Sequence, residues 1–199
     1  ETLRFSGVKP GDVVADYVSG SGYFTRLLLS VVGPQGHVYS VEPSTVLKYV
    51  AKELPEIEAL TATHPNLTVS VASPMEGTRF PQKLDLFFIA QNYHDMHDKF
   101  MGPVDIGAFN AAVYKALKPG GIYLVLDHVA ASGAPADVTE TLHRIDPAVV
   151  RREVEAAGFK FDGESRVLAN PDDPHSLGVF DKSIRGHTDQ FIYRFRKPR

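Results

Sequence analysis

Between residues 91 and 98 the chain reads Gln-Asn-Tyr-His-Asp-Met-His-Asp, which puts His94, His97, Asp95 and Asp98 within two helical turns of one another. Imidazoles and carboxylates this close set one another's protonation, and histidine is the side chain that exchanges a proton most readily near neutrality. The block predicts His94 held neutral as a general base, with Asp95 as its acid/base partner. A second histidine, His128, follows the apolar run 122–127. The two rings face each other across one crevice if the strands that carry them are neighbours, about 4.8 Å apart. His94 and His97 stand three residues apart, a spacing that also suits a divalent metal on a helical turn. For His97 and Asp98 the plainer alternatives stay open, a solvated surface ring and a turn cap.

Chemistry of a second kind is written into residues 13–42. Val13 to Tyr17 is short, β-rich and almost wholly apolar, as a strand covered on both faces must be. Gly20 and Gly22 then allow a tight turn and a close backbone approach to a ligand. Tyr23 to Val32 has apolar residues at 24, 27, 28, 31 and 32, and Gly33-Pro34 stops that helix. His37 to Val41 is the next strand, with Glu42 at its tip. A carboxylate in that position accepts ribose hydroxyls in dinucleotide-binding folds, so the unit predicts a nucleoside-sized ligand site. The spacing disfavours a nicotinamide fingerprint, which needs a glycine where Thr25 stands.

These groups are carried by an alternation of strands and helices that runs through the chain without a linker or repeat. A helix is expected from Thr45 to about Ala62, with Ser44 as N-cap and a kink or break at Pro55. Leu67–Val71 reads as the third strand, Leu84–Ala90 as a central parallel strand and Ile122–Asp127 as another buried one. The helix Val104–Leu117 is amphipathic and ends at Lys118-Pro119-Gly120-Gly121. Asp146-Pro147 opens a helix with an N-cap and an N1 proline, and Gly158 closes it. Phe159–Phe161 with Ser165–Leu168, and Thr188–Phe195, supply the last strands. At 199 residues the chain is expected to be one α/β domain, residues 1–199. No stretch approaches the roughly 20 apolar residues that cross a bilayer. A net charge of −3 gives no electrostatic case for nucleic acid or acidic membranes. The absence of cysteine excludes disulfides, thiolate catalysis and cysteine-metal sites. The chain begins at Glu1 rather than methionine, so an upstream segment is expected to have been removed. The compartment is then cytoplasmic, or periplasmic if that segment was a signal peptide.

The first βαβ unit resembles motif I of the class I S-adenosylmethionine-dependent methyltransferases, an acid, a Gly-x-Gly-x-Gly loop and an acid ending the second strand. Asp16, Gly20, Gly22 and Glu42 match it, and Val18 stands where the first glycine belongs. LKPGG before the fifth strand is also common in that superfamily. The resemblance implies a three-layer Rossmann-like fold with a seven-stranded, mostly parallel sheet whose last strand is antiparallel. It further implies S-adenosylmethionine as cofactor, with Ser73 near the adenine, Met75 packed on its ring and Asn92 at the cofactor. No acids fall at the spacing of the catechol-type metal site, so no metal is expected. ETLRFSGVKPGD, NYHDMH, the Asp-His pair at 127 and 128, HRIDP and RGHTDQFIYRFRKP are similar to a narrower group of bacterial predicted methyltransferases, whose precursors often carry export signals.

Methyl transfer to a small molecule is the first expectation, with His94 or His128 taking the proton of the nucleophile. The alternative is the same fold reused as a lyase or isomerase, with His94, Asp95 and His128 as acid/base residues. Tyr93, Arg144, Arg185 and His187 are the candidate substrate contacts, Arg144 for an anionic group; Arg185 has the alternative of a structural pair with Asp189.

Overall fold

The computed structural model describes residues 1–199. Helix α1 (Thr2–Ser6) precedes strand β1 (Val13–Tyr17), then come α2 (Tyr23–Val32), β2 (His37–Pro43), α3 (Leu47–Val50), α4 (Leu54–Leu60) and β3 (Leu67–Ala72). The second half runs β4 (Leu84–Ala90), α5 (Ile106–Ala116), β5 (Leu117–His128), α6 (Val138–Leu142), α7 (Pro147–Ala156), β6 (Lys160–Ser165) and β7 (Gln190–Arg196). The strands form one sheet in the order β3-β2-β1-β4-β5-β7-β6. Every pairing from β3 to β5 is parallel, and β7 alone runs against its neighbours.

The continuous apolar runs are explained by cover on both faces of the sheet. Ala15, Tyr17, Phe87, Ile89, Tyr123 and Val125 point to one side, where Phe109 and Val113 of α5 and Val150 and Val154 of α7 pack on them. Val14, Leu86, Phe88, Leu124 and Leu126 point to the other, against Leu28, Leu29 and Val32 of α2. This is the expected three-layer arrangement. Each completely buried phenylalanine such as Phe87 adds roughly 1.5–3 kcal/mol over the exposed state. No helix is long and apolar enough to cross a membrane.

The ends of α5 and β7 fall one or two residues from expectation, and three elements differ more. The helix expected over 45–62 is broken into a 3₁₀ turn at Ser44–Val46, α3 and α4, because Pro55 cannot donate into a continuous helix and instead occupies the first turn of α4. Ser44 lies inside the 3₁₀ turn and makes no capping bond. Strand β5 begins at Leu117 and takes in Lys118–Gly121, since Leu117 pairs with Leu84 across a register shift. Residues 166–168, expected in a strand, form a turn after β6. Asp146 caps α7 as expected, its carboxylate accepting from the Ala148 amide at 2.8 Å. The basic C-terminus is tied down: Arg196 pairs with Asp162 at 2.7 Å and Lys197 donates to the Tyr114 and Leu117 carbonyls.

Candidate active site at the carboxyl edge of the sheet

In a parallel sheet the side chains and loops past the strand carboxyl ends border the ligand crevice. Here β1 and β4 both end on a non-glycine residue in the left-handed region, Val18 at φ 58 and Gln91 at φ 59. For a β-branched side chain this is a true outlier. Val18 therefore holds a conformation that glycine adopts freely, at a cost of order 1–3 kcal/mol that the buried surroundings must carry. Val18, Gln91 and Asn92 border two clefts at once, one of about 710 Å³ and one of about 510 Å³.

The larger cleft contains the glycine turn. Gly20 (φ 54) and Gly22 (φ 76) both use the left-handed region. A Cβ on Gly20 would meet no atom within 4 Å, so its backbone faces open space, whereas one on Gly22 would strike the Ile57 side chain at 2.9 Å. Gly20 is thus the approach point and Gly22 the packing point. Asp16 lines the same cleft, and its Oδ2 accepts from the Thr25 hydroxyl at 2.6 Å, tying β1 to α2. Burial pushes its carboxyl up to about 6, with the Thr25 bonds acting the other way.

Glu42 lies beneath the turn, fully buried, and borders neither cleft: Ser19 and Gly20, which it binds, stand between it and the larger one. Its Oε1 accepts from the Ser19 hydroxyl at 2.7 Å and the Gly20 amide at 2.6 Å. Its Oε2 is buried without a hydrogen-bond partner. Burial drives this carboxyl up to about 7, while Ser19 and Gly20 pull it down.

The smaller cleft is bordered by His94, Asp95, His128, His143, Tyr49 and Phe180, among others. Asp127, at the tip of β5 and completely buried, holds its wall together. Asp127 Oδ1 accepts from His94 Nδ1 and from the His128 amide, each at 2.8 Å, and its Oδ2 accepts from the His94 amide at 2.8 Å. His94 Nε2 lies 3.1 Å from Asp95 Oδ1. Burial opposes a charge on His94, but Asp127 and Asp95 outweigh it and bring the ring up to about 10. The neutral His94 read from the sequence is thus replaced by an imidazolium between two carboxylates.

His128 has the opposite setting. Burial lowers its pKa to about 4, so the ring is neutral near pH 7. Its Nδ1 bonds the Thr188 hydroxyl at 2.8 Å, which leaves Nε2 for the cleft. The His94 and His128 rings lie 6.2 Å apart, close enough to serve one bound molecule.

Other expected residues fall elsewhere. Tyr93 is not a substrate contact: it is fully buried, donates to Glu153 at 3.0 Å and accepts from Asn110 at 2.9 Å. Arg144 is likewise fully buried, bonded to Asp173 and to the Val129 and Leu177 carbonyls, and borders neither cleft, so it does not face an anion there. Both corrections have one cause, an unbroken polar network that satisfies a buried polar group inside the fold. Arg185 does not pair with Asp189, which binds His175 instead; its guanidinium lies 5.8 Å from the Phe180 ring at the rim of the smaller cleft. His187 is exposed and borders neither cleft. Ser73 bonds Glu76 and borders neither cleft, and Met75 packs on the core. His97 turns to Glu153 at 3.1 Å, so the His94/His97 pair is not a ligand pair. His143 was missed as a site residue. It follows α6 in the left-handed conformation (φ 53) and brings its ring 5.5 Å from that of His94, an approach that sequence spacing does not encode.

No family model matches the chain. The protein-L-isoaspartate O-methyltransferase of Ignicoccus hospitalis is 30% identical over 118 residues, which make up 59% of this chain and 48% of that protein. The chain thus spans about half the length of this curated relative. A SAM-dependent methyltransferase from Aquifex aeolicus superposes with a TM-score of 0.63 at 17% identity, covering 98% of this chain and 86% of that one. Aeropyrum pernix fibrillarin, solved with natively bound S-adenosyl-L-methionine, gives a TM-score of 0.58 at 13% identity, covering 98% and 72%. The chain therefore has the class I S-adenosylmethionine-dependent methyltransferase fold that its motifs implied.

Because Asp127 accepts three hydrogen bonds at the centre of the wall, Asp127→Ala leaves two amides and an imidazolium without their acceptor. The expected loss is about 3–5 kcal/mol in urea unfolding. A loss under about 1 kcal/mol would contradict this account of the wall.

Proposed function

We propose that this chain is an S-adenosylmethionine-dependent methyltransferase acting on a small molecule, with His128 as the proton acceptor. The observation that carries the reading is Glu42 Oε2, a buried carboxylate oxygen without a partner beneath a glycine turn whose Gly20 faces open space. Such an atom costs about 1–3 kcal/mol until a donor reaches it, and a ribose hydroxyl is a donor of the right kind. Asp16 and Asn92 border the cleft that Gly20 faces and are proposed to hold the rest of the cofactor, with the Ser19–Gly20 turn shifting to let the ribose reach Glu42. A lyase or isomerase would leave Glu42 and the glycine turn without a role.

When bound, the cofactor would supply a sulfonium methyl group, whose carbon the substrate's lone pair would attack with S-adenosylhomocysteine as the leaving group. The chain's own work is alignment and proton removal. Val18, Gln91 and Asn92 form the common border of the two clefts, so a molecule in the smaller one meets a group in the larger one there. A hydroxyl becomes strongly acidic as it accepts the methyl group, so even the weakly basic His128 can take its proton on Nε2. The His94 imidazolium, fixed by Asp127 and Asp95, orders the wall and favours electron-rich substrate groups. Tyr49 and Phe180 are half or more exposed and offer aromatic faces to an organic substrate.

S-Adenosylhomocysteine should bind by calorimetry, and Glu42→Ala should weaken it by about 1.5–3 kcal/mol. The pH dependence has a definite sign. In the free protein the Glu42 carboxyl keeps its proton up to about 7, while hydroxyl donors prefer the carboxylate. Binding therefore releases that proton, and affinity rises from about pH 6 to about pH 8. The rise should vanish in Glu42→Gln, and an equal rise in both proteins would remove Glu42 from the site.

His128→Ala should lower S-adenosylhomocysteine formation on any accepted hydroxyl or amine substrate by roughly a hundredfold or more, with cofactor affinity little changed. Turnover within a few-fold of the parent would sink the assignment of His128.

A further inference from the structure

We infer that His94, Asp95 and His143 form a binding site for a divalent transition-metal ion of the zinc type, on the wall of the smaller cleft. Their donor atoms all lie within 4.8 Å of one another, with His94 Nε2 3.1 Å and His143 Nδ1 3.8 Å from Asp95 Oδ1. Ligands about 2.0–2.1 Å from a tetrahedral ion are separated by about 3.3 Å, so two of the three pairs are already near ligating distance. Two imidazoles and one carboxylate match the donor preference of zinc and its neighbours and disfavour magnesium or calcium, which take all-oxygen sets.

Three independent features support the site. Asp127 holds His94 Nδ1, which directs Nε2 at the cluster and forms the carboxylate–histidine arrangement found behind metal-ligating imidazoles. His143 sits on a non-glycine left-handed residue, a conformation kept at a cost, and that turn brings its ring to the cluster. Asp98 is 2% exposed, and neither of its carboxylate oxygens has a hydrogen-bond partner. His94, His143 and Asp95 are near enough for their charges to act on it, and the Thr139 hydroxyl is beside it, so Asp98 is a neighbour of the cluster and not one of its three ligand groups. Asp95 and Asp127 give the imidazoles two buried carboxylates, negative charge that a dication would balance in place of the His94 proton.

A dication there takes the position of the hydrogen shared between His94 Nε2 and Asp95, and keeps an open coordination position toward the cleft. Its substrate class follows, resting on the methyl-transfer reading: a hydroxyl or thiol compound whose oxygen or sulfur ionises on the metal before receiving the methyl group. The released proton goes to His128 or water, so no oxidant or reductant is involved.

The test is ion binding and needs no turnover. The 199-residue protein stripped with a chelator is titrated with Zn²⁺, and with Co²⁺ followed by its visible absorption. One equivalent should bind, with Co²⁺ bands of a low-coordinate nitrogen and oxygen site. His143→Ala should abolish that equivalent, and Asp127→Asn should weaken it by about 10–100-fold. If His94→Ala fails to fold by circular dichroism, the partly exposed His143 decides alone, through His143→Ala and His143→Gln. No stoichiometric equivalent in the parent, or an equivalent that survives His143→Ala, overturns the inference. S-Adenosylhomocysteine titrations on the same samples separate failure of the metal site from failure of the methyl-transfer reading.

Discussion

The Asp127 carboxylate is the constraint on which the candidate site depends. It closes the edge of the sheet by accepting from the backbone amide of His94 after β4 and of His128 at the end of β5, and its Oδ1 also fixes the His94 ring. Because it is completely buried, these bonds are not diluted by water, and each oxygen must be satisfied where it lies. Once Asp127 is in place, His94 can point only at Asp95, and His143 and His128 complete a wall around the cleft. The difference between the two histidines follows from position: His94 lies between two carboxylates that together outweigh burial, whereas His128 has a hydroxyl partner and burial outweighs the pull of Asp127.

The other half of the site depends on backbone strain and a buried acid. Val18 and Gln91 are left-handed at the ends of adjacent parallel strands, and they border both clefts. Strain of this kind persists only where packing over-determines the chain. Glu42 shows a related conflict. Burial penalises its charge, Ser19 and Gly20 support one oxygen, and the other oxygen waits for a donor. Ligand binding is the simplest event that relieves this, which connects the sheet's topology to the methyl-transfer reading.

Much of the architecture was legible because burial on both faces leaves an uninterrupted apolar signature. Leu84–Ala90 and the Asp146-Pro147 helix start were readable to the residue. Pro55 announced the break between α3 and α4, though not its extent. The site was less legible, since polarity in a sequence does not say which way a side chain turns. Tyr93 and Arg144 looked like contact residues in polar segments, yet both face inward to partners 60 and 29 residues away in the chain, Glu153 and Asp173. His143 and Asp127 carry the opposite lesson, because their importance comes from a left-handed turn and from cross-strand register. Neither leaves a periodic trace.

The central claim is that the strained border of Val18, Gln91 and Asn92 brings a cofactor held by Glu42 to a substrate held beside His128. A crystal structure of the protein with S-adenosylhomocysteine tests it most directly. The account predicts a ribose hydroxyl within hydrogen-bond distance of Glu42 Oε2, and the cofactor sulfur at the Val18–Asn92 border, facing the His128 cleft. A ribose remote from Glu42, or a sulfur directed away from that cleft, would contradict it.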